Sequence, residues 1–242
     1  ADWYWMRSLQ YVGRKVIAAG DKGQKIQLDD LSALDLKLLY PLLDTATTLD
    51  PQFIAVYEYG GVVLPAINVE DAVRLLKKGI ENNPTEWRLF HHLGYIYWQQ
   101  GDYEAASKTY GAGARLPGAP AWLEAMSARM LAEGGSRETA REIYRRIYDE
   151  SDDETIKHMA ELRLLQIDSL EERDVIRRVL ADYRKQKGRC PSAWREVALA
   201  LHAARLQLDS AGAPLDPAGT PYILGKDDCE VDLDPGSLVP YK

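Results

Sequence analysis

The sequence has few of the residues that build metal and redox sites. Its 242 residues include two cysteines and four histidines. Neither cysteine belongs to a CxxC pair or has a histidine at the spacing of a zinc site, so no metal ion or other cofactor is expected. Cys190 and Cys229 either form one disulfide, in an oxidising compartment, or stay two free thiols.

Catalytic motifs are missing as well. The sequence contains no GxSxG, HExxH or Walker loop. His91 and His92 are adjacent, so on a helix they point about 100° apart and cannot bind one metal ion together. We expect one of them to face a groove and the other to face solvent. The acidic run Asp227–Asp234 lacks the mid-loop glycine and terminal glutamate of a calcium loop. No enzymatic activity is therefore expected.

Positive charge is scarce, and long apolar runs do not occur. The net charge of −7 argues against nucleic-acid binding, which needs a basic surface. No apolar run reaches the ~18 residues of a membrane-spanning helix. A basic cluster between Arg173 and Arg189 is either a solvated face or a site for anionic lipid or an acidic partner. Because the sequence begins at Ala1, without an initiator Met and in a predicted helix, we expect a membrane anchor or signal to precede it.

What the sequence does contain is an internal repeat with a period of about 34 residues. Five columns of similar residues recur at this spacing through the middle of the chain. The columns are Gly60–Gly94–Ala128, Val63–Tyr97–Leu131, Ala72–Ala106–Ala140, Leu76–Tyr110–Tyr144 and Gly79–Gly113–Ile147. Small residues allow two helices of a repeat to approach closely, and large ones fill the space between neighbouring repeats.

Turn residues divide each repeat into two helices. Pro51 and Pro84 are predicted to open repeats at helix N-termini, where the missing N–H costs nothing. Gly101 and Asp102 provide a C-cap and an N-cap between the two helices of the middle repeat. The segment Gly134–Ser136 is expected to do the same in the next repeat.

The stretch Trp87–Gly118 resembles the tetratricopeptide family. The residues at the family's spacings are Leu93, Gly94, Tyr97, Gly101, Asp102, Tyr103, Ala106 and Tyr110. This resemblance implies an all-α fold, a right-handed α-solenoid of antiparallel helix pairs, with three such repeats in residues 51–150. It also implies a concave groove that holds a peptide or a helix of another protein.

Residues 1–50 are predicted to form a degenerate first repeat. Two helices, residues 2–19 and 31–49, follow from the apolar spacing, and the polar segment Lys22–Asp30 reads as a loop between them.

Residues 151–187 are predicted to form a capping helix pair. Its helices are expected at residues 153–167 and 169–187, with Ser169 and Glu172 as the capping box of the second.

Residues 188–242 form a tail of a different character. A short helix is predicted at Pro191–Leu199. Leu215–Leu224, the turn Gly225–Asp228 and Cys229–Leu233 are predicted to form a small β-hairpin.

One string in this tail is similar to a motif near the C-terminus of type II secretion major pseudopilins. It comprises Asp216, Pro217, Gly219, Pro221 and Tyr222. It also resembles the tail of bacterial tetratricopeptide proteins carried on an N-terminal membrane anchor, in which a segment like residues 1–13 follows the anchor. This resemblance implies a bacterial, membrane-associated protein on the periplasmic side, with the cytoplasm as the alternative.

The chain contains 14 Tyr and 6 Trp but only two Phe. Because Tyr and Trp combine apolar area with a polar group, this composition indicates a surface that binds a partner. Exposed positions on the first helices define a candidate groove, which comprises Tyr57, Arg88, His91, Tyr95, Trp98, Trp122 and Arg129. The alternative for Trp98 and Trp122 is packing against neighbouring helices. The predicted function is a protein-binding scaffold or adaptor in a multi-protein assembly. The alternative is a permanent accessory subunit of a larger membrane complex.

Overall fold

The computed structural model describes residues 1–27, 30–225 and 227–241, which are mostly helical. Leu28, Asp29, Lys226 and Lys242 lie outside the described residues, so parts of the predicted loop Lys22–Asp30, the predicted hairpin turn and the end of the predicted tail are not described. The chain divides between Ser136 and Arg137 into two compact units.

The first unit is built from helices. Its α-helices are α1 (Asp2–Asp21), α2 (Leu39–Leu49), α3 (Ile54–Val63), α4 (Val69–Asn82), α5 (Trp87–Gln99), α6 (Tyr103–Ala114) and α7 (Trp122–Glu133). They are joined by short connections from α2 onward and by a longer segment between α1 and α2. The helix predicted at residues 31–49 is interrupted, because Asp35 adopts the left-handed region with φ of 48° after a short 3₁₀ turn at Ser32–Leu34. An L-residue rarely continues a right-handed helix from that conformation.

Glycine contacts hold successive helices of the first unit together. A Cβ on Gly94 would lie 3.0 Å from the Tyr110 ring, so α5 and α6 approach closely at this position. The column that begins at Gly79 acts between helix pairs. A Cβ on Gly79 would lie 3.1 Å from Leu89, and a Cβ on Gly113 would lie 2.9 Å from Leu123. This contact, which recurs from one helix pair to the next, is the structural basis of that column.

The turns of the middle repeat follow the predicted chemistry. Gly101 has a φ of 74°, which favours glycine, and Asp102 accepts a hydrogen bond from the backbone N–H of Ala105 at 3.0 Å. Pro51 and Pro84 differ from the prediction. They lie in the turns before Ile54 and Trp87, where α3 and α5 begin, and so do not occupy the first helical turn.

The second unit combines helices with an irregular tail. Its elements are α8 (Arg137–Glu150), α9 (Glu154–Lys187), a 3₁₀ turn (Trp194–Glu196), α10 (Ala198–Ala203), β1 (Ile223–Leu224) and β2 (Val231–Asp232). The strands pair antiparallel, which confirms the small C-terminal hairpin, but each strand has two residues and is shorter than predicted. The short helix predicted at Pro191–Leu199 is replaced by the 3₁₀ turn and α10. Helix α8, predicted as the second helix of the third repeat, belongs to this unit and packs on α9.

The predicted capping helix pair is wrong, because residues 154–187 form one helix of 34 residues. Ser169 and Glu172 lie in its middle and cap nothing. Both side chains instead contact the tail, where the Tyr222 hydroxyl lies 2.9 Å from Ser169 Oγ and 2.9 Å from Glu172 Oε2. Residues three apart lie on the same face of a helix, so Ser169 and Glu172 can both contact the Tyr222 hydroxyl of the tail.

The tail is fixed to α9 by a covalent bond and by polar contacts. Cys190 and Cys229 form a disulfide that joins the end of α9 to the hairpin. Arg177 of α9 donates a hydrogen bond to Glu230 of the tail at 2.9 Å. Within the tail, the buried Asp216 accepts hydrogen bonds from the backbone N–H groups of Ala218 and Thr220, both at 2.9 Å. Apolar residues of α9, α10 and the hairpin, including Leu180, form one core cluster beneath these contacts.

Candidate protein-binding groove

Six of the seven predicted groove residues lie close together on α5 and α7. Their side chains are exposed or half-buried. With Trp87 they form two neighbouring groups of ring and cation contacts. One group contains Arg88, Trp87, Trp122 and His91, and the other contains Tyr95, Trp98 and Arg129. His91 and Tyr95, one from each group, line the same cavity, and we call the two groups together the aromatic row. Trp87 belongs to this row although it was not among the predicted residues.

One end of the aromatic row is organised by Glu133. Trp98 Nε1 donates a hydrogen bond to Glu133 Oε2 at 3.1 Å, and Arg129 Nε donates one to Glu133 Oε1 at 2.7 Å. The Arg129 guanidinium lies 5.5 Å from the centre of a Trp98 ring, within cation–π distance. Trp98 therefore contacts the neighbouring helix α7, as the alternative interpretation expected, while part of its ring stays accessible.

The other end is built from two tryptophans and a histidine. Trp122 is 44% exposed and meets Trp87 edge-on, with ring centres 6.0 Å apart, and His91 at 5.0 Å. Arg88 lies over Trp87, and its Nη1 donates a hydrogen bond to Glu86 at 2.8 Å. These edge-on contacts are favourable for aromatic rings and pack the exposed Trp122 against α5.

A surface cavity of about 520 Å³ adjoins the aromatic row between the end of α3 and α5. This volume lies within the range of small-ligand pockets, roughly 300–1,000 Å³. The cavity is lined by Gly61, Val62, Pro65, Ala66, His91, His92, Tyr95 and Gln99. Gln99 Nε2 donates a hydrogen bond to the Tyr95 hydroxyl at 3.0 Å, which leaves most of the remaining wall apolar.

Both histidines line this cavity, so the expectation that one of them faces solvent is wrong. A Cβ on Gly61 would lie 3.1 Å from His92 Cβ, which shows how closely α3 and α5 pack here and why the His92 ring is held at the cavity wall. Burial lowers the pKa of both His91 and His92 below the usual histidine range. Both rings are therefore neutral at pH 7.

The charges along the aromatic row are largely balanced by ion pairs. Arg88 pairs with Glu86 at 2.8 Å and approaches Glu58 at 3.9 Å, and Arg129 pairs with Glu133 at 2.7 Å. With the histidines neutral, the row and its cavity offer aromatic and apolar contact and little unpaired charge.

Tyr57 does not belong to the groove, which corrects the prediction. Its side chain is fully buried, and a Cβ on Gly79 would lie 2.8 Å from its ring. In the next pair, the corresponding contact with Gly113 is made by Phe90 and not by His91, the residue one repeat after Tyr57. The inward position thus shifts by one residue between α3 and α5, so His91 turns outward and Tyr57 does not.

Three groove residues were missed or left out of the candidate set. Trp87 begins α5 and packs on Trp122, His92 lines the cavity, and Glu133 anchors Trp98. Of these, Glu133 could have been predicted from the sequence, because it follows Arg129 by four residues and residues at that spacing meet on a helix.

The sequence matches no family model and no curated protein.

Proposed function

We propose that this protein is a non-enzymatic scaffold or adaptor of the tetratricopeptide type that binds a segment of another protein along α5 and α7. The aromatic row carries this proposal. Trp, Tyr and Arg dominate the binding energy of protein interfaces, and here they lie together on two neighbouring helices. The close helix contacts at Gly79 and Gly113, repeated from one helix pair to the next, support the family part of the proposal.

The chemistry of the row favours an uncharged partner segment with apolar or aromatic side chains. Its arginines are already paired with carboxylates, and its histidines are neutral at pH 7. A strongly charged segment would have to break these pairs, whereas an apolar side chain can enter the cavity beside Tyr95. We therefore expect a peptide or helix anchored by one or two large apolar residues.

The row is pre-organised for binding. Glu133 fixes both Trp98 and Arg129, and Gln99 fixes the Tyr95 hydroxyl. Side chains held in place before association lose less conformational entropy on binding, roughly 0.5–1.5 kcal/mol less for each flexible side chain.

The test is affinity purification from the native cell with quantitative mass spectrometry. The variant Arg88→Ala/Tyr95→Ala/Trp98→Ala removes three members of the row. We expect the bound partners to decrease at least about tenfold, because each lost hot-spot side chain costs ~1–2 kcal/mol or more. Retention of every partner would reject the groove.

The matched control replaces exposed side chains of the second unit. Leu199 is 89% and Leu238 is 73% exposed, so Leu199→Ala/Leu238→Ala removes accessible apolar surface outside the row. This variant is expected to retain the partners. A wild-type chain that aggregates when produced alone would favour the alternative of a permanent accessory subunit.

A further inference from the structure

Helix α1 exposes a stripe of large apolar side chains. Trp3 is 60%, Met6 53% and Ile17 65% exposed. At about 100° per residue these three side chains project within an arc of about 60° on one face of the helix. Isolated exposed apolar residues are common, but here three share one helix face, with Trp3 and Met6 adjacent and Ile17 about 16 Å further along the helix axis.

The opposite face of α1 is already used by the fold. Trp5 meets Tyr59 edge-on at 5.1 Å and Phe53 at 6.1 Å, and Ser8 and Ala19 are buried. The helix is therefore held by its inner face, and the outer stripe is free of any role in that packing.

Two arginines flank the apolar stripe on the same outer face. Arg7 and Arg14 project about 20–40° to one side of Trp3. Among the described residues neither forms an ion pair. Arg7 instead lies 5.0 Å from the centre of a Trp3 ring, and Arg14 donates a hydrogen bond to the backbone oxygen of Gln10. This differs from the aromatic row, where both arginines are paired with carboxylates.

The N-terminal segment is also positive in a negative chain. Residues 1–27 contain five Lys or Arg against two Asp or Glu, a net charge of +3, whereas the whole chain carries −7. A helix with an apolar stripe beside a basic one, and with a tryptophan among the apolar residues, has the pattern of helices that lie in the interface of a membrane.

We infer that the outer face of α1 binds the surface of an anionic lipid bilayer, with Trp3, Met6 and Ile17 at the boundary between headgroups and acyl chains and with Arg7 and Arg14 on lipid phosphates. The helix lies on the surface. Within the described residues no helix has the length and hydropathy to cross a membrane. The inference rests on α1 and on the charge of residues 1–27, and it is independent of the groove.

The basic cluster of α9 lacks this combination. Arg177 pairs with Glu230 at 2.9 Å, and Arg189 pairs with Glu196 at 2.7 Å. None of the large apolar side chains that the described residues expose lies on α9. Its remaining cations, such as Arg184 and Lys185, therefore provide a matched control, with similar charge but without the apolar stripe.

The experiment is flotation of the purified full chain with vesicles of phosphatidylcholine alone or of a two-to-one mixture of phosphatidylcholine and phosphatidylglycerol, at low and high salt. We expect binding to the anionic vesicles at low salt, weaker binding at high salt, and at least about tenfold weaker binding to neutral vesicles.

Variants assign that binding to α1. Arg7→Glu/Arg14→Glu is expected to lose at least about tenfold in affinity for anionic vesicles, because each cation near the surface contributes about fivefold. Trp3→Ala/Met6→Ala/Ile17→Ala should weaken binding at low and high salt alike. The control Arg184→Glu/Lys185→Glu should bind as the wild type does, and circular dichroism should show all variants folded.

Three results would overturn the inference. One is a wild-type chain that binds neither kind of vesicle. Another is loss of binding in the α9 control with binding kept in the Arg7 and Arg14 variant. The third is a stable dimer, without vesicle binding, that the Trp3, Met6 and Ile17 variant converts to monomer, because a second copy of the chain would then cover the stripe.

Discussion

In the first unit, neighbouring helices pack directly against each other at small residues. In the second unit, an irregular tail is held against one long helix by a disulfide and by side-chain hydrogen bonds. Gly79, Gly94 and Gly113 let neighbouring helices of the first unit touch directly. In the second unit, the described part of residues 188–241 contains little regular structure beyond one short α-helix and two strands of two residues. The contrast shows two ways to fix a backbone, one by repeated close packing and the other by individual bonds.

The two units should therefore respond differently to substitutions. A closely packed helix pair is destabilised when a larger side chain is placed at its contact, because the interior has no free space to accept it. A tail held by individual bonds fails when one of those bonds is removed, since little regular hydrogen bonding remains to hold it. Three predictions use this difference, in order of expected size.

The largest effect is expected from the disulfide of the second unit. Cys190→Ser/Cys229→Ser opens a loop with a sequence separation of 39 residues. Loops of this size are worth about 3–5 kcal/mol to the folded state. Hydrogen exchange should show protection lost across residues 190–241 and kept in α3–α6. Equal loss of protection in both units would contradict the comparison, as would no loss in the tail.

Added volume in the first unit should cost somewhat less. Gly79→Leu places a side chain against the buried Tyr57 ring and Leu89, and we expect a loss of about 3 kcal/mol in the free energy of unfolding. Urea denaturation followed by circular dichroism, with hydrogen exchange in α3–α5, measures it.

Gly13→Leu in α1 is the matched control, because a Cβ at Gly13 would meet nothing within 4 Å. The substitution should be neutral or stabilising by up to about 1 kcal/mol, since leucine favours helix more than glycine does. If both glycine variants behave alike, close packing does not distinguish Gly79.

The smallest effect concerns the polar contact of the tail with α9. Burial raises the pKa of Glu172 to about 7, and the nearby Asp168 and Asp216 act in the same direction, although the Tyr222 hydroxyl donates to the carboxylate. Folding therefore favours the protonated carboxyl. The stability that this carboxyl contributes is complete below about pH 4.5 and is lost as the pH rises to about 7.

Glu172→Gln, which keeps the neutral shape, should therefore be more stable than the wild type at pH 8 by about 1 kcal/mol, after allowing for partial solvent screening. The difference should vanish near pH 4.5, as measured by urea denaturation across this range. Glu171→Gln removes an exposed carboxylate that pairs with Arg141 at 2.8 Å, so it should not stabilise the protein at any pH. An equal gain from both variants would sink the explanation by burial.

Several elements of the fold could be predicted because they depend on local chemistry. The helices α3–α6 and the turn at Gly101 and Asp102 follow from apolar spacing and capping residues within a few positions of each other. The hairpin follows from alternation and turn residues. The predictions were wrong where a residue contacts another residue that lies far away in the sequence. Ser169 and Glu172 satisfy the pattern of a capping box, but their partner is Tyr222, about fifty residues later.

The candidate groove divides in the same way. Arg88, Tyr95, Trp98, Trp122 and Arg129 could be placed at a surface from helix periodicity alone. Tyr57 could not, because a shift of one residue between α3 and α5 exchanges its role with that of Phe90, and such a shift does not change the spacing of the repeat. The neutral state of His91 and His92 also depends on burial, which no local pattern specifies.

By itself the sequence determined the helices and turns in the middle of the chain, the close contact at Gly94 and the presence of a separate tail, because each depends on residues within one or two turns or on a fixed repeat. Only the tertiary structure decided that α8 packs with α9, that Cys190 bonds Cys229, and that Ser169 and Glu172 receive Tyr222 instead of capping a helix. Those outcomes depend on which distant segments meet, and their free energies arise only after the chain has brought them together.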